Sequence, residues 1–226
     1  MTALQQVEGG ASALVRGLEA WRLSARPVRW AIFAGFAATL MVIGLVVVAH
    51  LVKDLPFRAL MQDPTAYLGA QAYIGAVSTL GGVLWAIAGT AACLAALAVH
   101  RAGGPRGERA FFLAFGLLSF ALSADDLLQL HEDLLPLAGV PQTAILLLYG
   151  GLGVAHLVVF RAAILARPWP LLAIAVAFLG LSVGQDLVFP HGDLQTFFED
   201  SAKLGGIVFW ALFFGIASAD TIAPPR

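Results

Sequence analysis

The chain has 226 residues, 60% hydrophobic and only 12% charged, with a formal net charge of −1. An ordinary soluble domain is about 45–50% apolar and about 25% charged, so this composition belongs in lipid rather than water. The single cysteine excludes an internal disulfide, and the charge balance leaves no basic footprint for nucleic acid.

The first 29 residues are basic, with Arg16, Arg22, Arg26 and Arg29. Leu14, Leu18 and Trp21 share one helical face, so 11–24 reads either as a helix lying on the membrane surface or as a basic tail. A bilayer core of roughly 30 Å needs about 20 apolar residues per spanning helix. Six stretches are predicted to cross: Trp30 to Val52, Ala72 to Val99, Ala110 into the motif at 123–136, Thr143 to Ile164, Trp169 to Val188, and Phe197 to Ser218. These runs are continuous rather than alternating, which predicts an all-α polytopic membrane protein. The first span is too long for the apolar part of a signal peptide, so it is expected to stay uncleaved. Short loops make 30–219 one transmembrane domain, with a tail at 220–226. No Gly-rich phosphate loop, Cys-x-x-Cys or His-Glu-x-x-His occurs.

Basic residues set the expected orientation. Arg16, Arg22, Arg26, Arg29, Arg101, Arg106, Arg109, Arg161, Arg167 and Arg226 fall on one side, whereas only Lys53 and Arg58 lie in loops on the other. Both termini are therefore expected in the cytoplasm. Lys203 falls inside the last span.

The third span ends in SADDLLQLHEDLLP, residues 123–136. At about 1.5 Å per residue, Asp125 and Asp126 lie roughly 22–24 Å along an outward-running helix, in the outer leaflet. Span five brings Gln185 and Asp186 to that layer, span six brings Glu199, Asp200 and Lys203, and the loop between them carries His191. A charged side chain at the bilayer centre costs about 2.5–3.5 kcal/mol on insertion scales. Five acids sharing one layer must therefore hold protons, bind a cation or reach water. Lys203 follows Glu199 by four residues and Asp200 by three, which predicts an ion pair within the last helix.

On a helical wheel Asp125, Gln129 and Glu132 share a stripe, and His131 points away. His131 can join them only if the helix ends or unwinds near Leu130, which Pro136 and the turn at 139–141 make room for. Carboxylates with histidine form a donor set for a divalent metal ion. The expected ligands are Asp125, Asp126, Asp186, Glu199 and Asp200, with Gln129, Gln185 and His191 in support. Such an ion activates water or polarises an oxygen, with His131 as general base, Glu132 beside it, and Lys203 stabilising developing charge. The plain structural alternatives are a solvated helix end for His131, Glu132 and Asp133, and a packing ion pair for Lys203.

SADDLLQLHEDLLPLAGVPQ together with FFEDSAKLGGIVFWALFF resembles a family of uncharacterised bacterial membrane proteins. That pattern is Asp-Asp-x4-His-Glu in one span and Glu-Asp-Gly/Ser-Ala-Lys in the last. It matches Asp125, Asp126, His131, Glu132, Glu199, Asp200 and Lys203, and implies a site without naming a reaction. A fainter likeness to ceramidase-like membrane hydrolases maps onto Ser123 and Asp126, but the His-x-x-x-His of that group's final helix is absent. The leading expectation is a metal-dependent, hydrolase-like enzyme of a bacterial inner membrane, acting on a lipid or small amphiphile. A proton- or metal-ion-coupled carrier, and a noncatalytic subunit or assembly factor, stay open. Simple alternating access fits less well, because inverted halves would not put both acid clusters on one side.

Overall fold

The computed structural model describes residues 43–61, 64–71, 74–188 and 193–223, with Ala37, Leu40 and Met41 before them. Among the described residues every regular element is helical. The described residues fall into two compact units, divided between Ile74 and Gly75.

In the first unit, α1 (Ile43–Lys53) is an apolar helix within the expected first span. Asp54, with φ 53°, ends it. Two short helices follow, α2 (Phe57–Met61) and α3 (Pro64–Leu68). His50 donates from Nδ1 to the Leu55 carbonyl at 2.7 Å, and its ring stacks on Phe57 at 4.1 Å. The imidazole thus satisfies a carbonyl of the loop that follows α1.

The second unit contains α4 (Ala76–Arg101), α5 (Arg106–Leu128), a π-helical turn at Leu130–Leu134, and α6 (Leu135–Leu137). It continues with α7 (Gln142–Val159), α8 (Arg161–Leu165), α9 (Trp169–Val188) and α10 (Asp193–Ile222). Four of the described helices, α4, α5, α7 and α10, are long and apolar enough to cross a membrane. The apolar stretch of α9, Trp169–Gln185, is shorter. The expected continuous span from Thr143 to Ile164 is corrected: Phe160, at φ −101° and ψ 16°, interrupts it between α7 and α8. Its ring is drawn toward the core, with its centroid 5.8 Å from that of Phe111 and 6.0 Å from that of Phe115.

α5 packs on α4, α4 on α10, and α10 on α9. Small residues permit the close crossings. A Cβ built on Gly116 would lie 2.6 Å from Cys93 Sγ and 3.2 Å from the Gly89 carbonyl oxygen. One on Gly206 would lie 3.0 Å from the Ala175 carbonyl oxygen. Lipid tails are as apolar as leucine, so such helices associate through backbone approach, dispersion and internal hydrogen bonds rather than by expelling water. Phe111, Phe115, Trp210 and Phe214 fill the space between α5 and α10. Trp210 donates from Nε1 to Ser119 Oγ at 2.9 Å, and the Ser119 hydroxyl donates to the Phe115 carbonyl at 2.8 Å. The indole N–H is therefore satisfied inside an apolar core.

The chain turns from α4 to α5 at Gly103, φ 67°. Near that end Arg167 pairs with Glu108 and stacks on Phe111 and Phe112 at 4.8 and 4.9 Å. α7 stands apart: Ile145 is its one buried residue among those described, and Leu147, Leu148, Val154 and Val158 face outward. An apolar surface of that kind suits lipid contact.

Candidate functional site

The polar residues gather where α5 ends and α4 and α10 begin. α5 stops at Leu128 because Gln129 adopts the left-handed conformation (φ 51°, ψ 44°), and its N–H bonds back to the Asp125 carbonyl. A π-helical turn follows. In a regular helix His131 would lie about 120° around the axis from Asp125. The unwinding brings it back. Its backbone N–H donates to Asp125 Oδ1 at 3.0 Å, and its Nδ1 bonds Asp125 Oδ2. Tyr149 on α7 approaches the same Oδ1 at 3.4 Å.

The magnitudes explain why this geometry holds. A non-glycine residue in the left-handed region costs roughly 1–2 kcal/mol. A hydrogen bond to a charged group contributes about 1.5–3 kcal/mol net, and Asp125 accepts two from His131. Asp125 is only 3% exposed, so leaving its carboxylate unsatisfied would be costly. The strain at Gln129 is offset by the bonds it makes possible.

Asp126, the next residue, faces a different neighbour. Its Oδ1 accepts from Lys203 Nζ at 2.7 Å, joining α5 to α10, and its side chain is 5% exposed against 30% for Lys203. The expectation paired Lys203 only within its own helix; the structure gives it this partner on another helix. The physical reason is burial. Asp126 is enclosed and needs the cation, whereas Asp200 is exposed and can be solvated. Glu199 accepts from Gln195 Nε2 at 2.6 Å, one turn earlier on α10.

Other expected residues are placed as follows. Ser123 is buried and donates to the Gly82 carbonyl at 2.8 Å, fastening α5 to α4. A Cβ on Gly82 would lie 2.7 Å from the side chain of Leu127, so this crossing also depends on glycine. Gln129 is exposed, and its contribution is its backbone. Gln185 is half-buried near the end of α9. The side chains of Glu132 and Asp186, and His191 altogether, lie outside the described residues.

Among the described residues no three His, Cys, Asp or Glu side chains gather as a metal would require. Asp125 binds His131, Asp126 binds Lys203, and Glu199 binds Gln195. The consecutive acids thus serve two neighbouring sites, a His–Asp–Tyr cluster and a Lys–Asp pair. A roomier cavity of about 700 Å³ lies at the opposite end, against Glu108 and Arg167, and contains neither cluster.

Comparison with known proteins adds a family. The family described as DUF8692, a domain of unknown function, matches residues 13–216. The chain belongs to that family. The match takes in both polar clusters and the described helices of the second unit up to residue 216, within α10. No curated protein and no solved structure matches the chain.

Proposed function

We propose that this DUF8692 protein is a membrane enzyme whose acid–base centre is the His131–Asp125 dyad, acting hydrolytically on a lipid or other amphiphile. The observation that carries this reading is the grip of Asp125 on both the backbone N–H and the ring of His131. A carboxylate bonded to Nδ1 fixes the imidazole's tautomer and orientation and stabilises the imidazolium formed when Nε2 takes a proton. Water is the nucleophile His131 would activate. Lys203, fixed on Asp126 beside the dyad, supplies the local positive charge. We read the chain as six spans of a bacterial inner membrane; the arginine distribution supports both termini in the cytoplasm, and the dyad would then lie near the outer face.

The donor set supports metal-free chemistry better than a divalent ion. Three of the five expected ligands already have partners, and one of those partners, Lys203, is a cation that would repel a dication. The test is turnover of membrane lipid extract by the purified protein in detergent, read by mass spectrometry. General acid–base groups contribute about 10²–10⁴-fold. His131→Gln and Asp125→Asn should each lower turnover by that order, and a chelator should leave it unchanged. Undiminished turnover in both variants sinks the proposal. Loss on chelation with recovery on adding a divalent ion would return the metal-dependent version. The buried Asp126–Lys203 pair favours a proton- or ion-coupled carrier as the second reading; a carrier leaves its solute chemically unchanged.

A further inference from the structure

Asp126 is held by only one of its oxygens. Oδ1 meets Lys203, while Oδ2 is fully buried and has no hydrogen-bond partner among the described residues. It lines a small cleft shared by Ser78 and Gly81 on α4 and by Asp200, Lys203 and Ile207 on α10. The cleft offers about 20 Å³, room for one occupant the size of a water molecule. Glycine keeps it open. A Cβ on Gly81 would stand 3.8 Å from Asp126 Oδ2 and 3.1 Å from Ile207 Cδ1.

We propose that this cleft binds one monovalent cation of sodium's size. The charges select its sign and valence. Asp126 and Asp200 contribute two negative charges and Lys203 one positive, so the lining carries one unbalanced negative charge. An anion would face a bare carboxylate oxygen. A divalent ion would leave one excess positive charge beside the Lys203 ammonium. A monovalent ion neutralises the cleft and satisfies Oδ2, and Ser78 and Asp200 bring further oxygen-bearing side chains to the same lining. Potassium is larger and fits the space less well. Asp200 is exposed, so the ion has a polar point of entry. This site goes beyond the acid–base reading, since it needs neither His131 nor Tyr149.

The experiment is thermal unfolding of the purified full-length protein in detergent, followed by tryptophan fluorescence. Sodium, potassium and choline chlorides are compared at equal ionic strength. Sodium at a hundredfold excess over its Kd should raise Tm by about 5–10 °C relative to choline, and potassium by less. Gly81→Ala, which fills the cradle without altering a charge, should abolish the sodium-specific rise, as should Asp126→Asn. Equal melting in sodium and choline means that water occupies the cleft and overturns the proposal. So does a sodium-specific rise that survives Gly81→Ala. Should Asp126→Asn fail to fold, the wild-type ion comparison and Gly81→Ala still decide.

Discussion

Removing the Lys203 ammonium by Lys203→Met leaves a buried carboxylate behind it. Breaking a buried ion pair from one side costs about 3–5 kcal/mol, because the abandoned charge is then uncompensated. Asp126 fits that case at 5% exposure, but Lys203 keeps 30% of its side-chain surface exposed, and solvent screens the pair. Screening takes the cost below that range, to about 2–3 kcal/mol. For a chain of this size about 1 kcal/mol moves Tm by roughly 2–4 °C, so Lys203→Met should melt about 4–12 °C lower. Asp126→Asn removes the charge that needed compensation, so the double variant should recover most of the loss. The assay is a double-mutant cycle at fixed sodium concentration, read by thermal and denaturant unfolding in detergent. An interaction energy of about 1.5 kcal/mol or more is expected. Additive single effects, within about 0.5 kcal/mol, would refute the argument that Asp126 depends on this cation.

Ser119→Ala should cost about 1–3 kcal/mol, because it strands the buried Trp210 N–H that now donates at 2.9 Å; Trp210→Phe in the same background should recover part of it in the same unfolding assay. Gln129→Gly relieves the left-handed strain at φ 51° and should be neutral or stabilising by up to about 1 kcal/mol, whereas Gln129→Val should destabilise. Gly116→Val pushes α4 from α5, since its Cβ alone would lie 2.6 Å from Cys93 Sγ; a loss of about 1–3 kcal/mol is expected, and a partner Cys93→Ala should soften it.

Much of the site's address was legible before any packing was known. Runs of about 20 apolar residues dictate helices, because a backbone in lipid must satisfy its own hydrogen bonds. Counting residues along those helices brings Asp125, Asp126, Asp200 and Lys203 to one end of the bundle. The gathering of acids inside an apolar chain marked that end as the candidate site. Pairing within the site was not legible. Spacing alone favours Lys203 with Glu199 or Asp200, because sequence reports neighbours on one helix and not enclosure by another. The structure also takes Lys203 across to Asp126, whose burial between α4, α5 and α10 makes its need for a cation great.

His131 shows the same division most clearly. The motif names an acid and a histidine six residues apart, and helical periodicity turns them away from each other. A left-handed glutamine followed by a π-helical turn reverses that result. Nothing in the sequence of Gln129 announces it, since glutamine has no preference for that conformation. The conformation persists because Asp125, buried by tertiary packing, rewards it with two hydrogen bonds from His131. The sequence by itself determined a helical membrane protein with its acids at one end. Only the tertiary structure decided which charge answers which, because burial sets the cost of an unpaired charge and burial belongs to the assembled bundle.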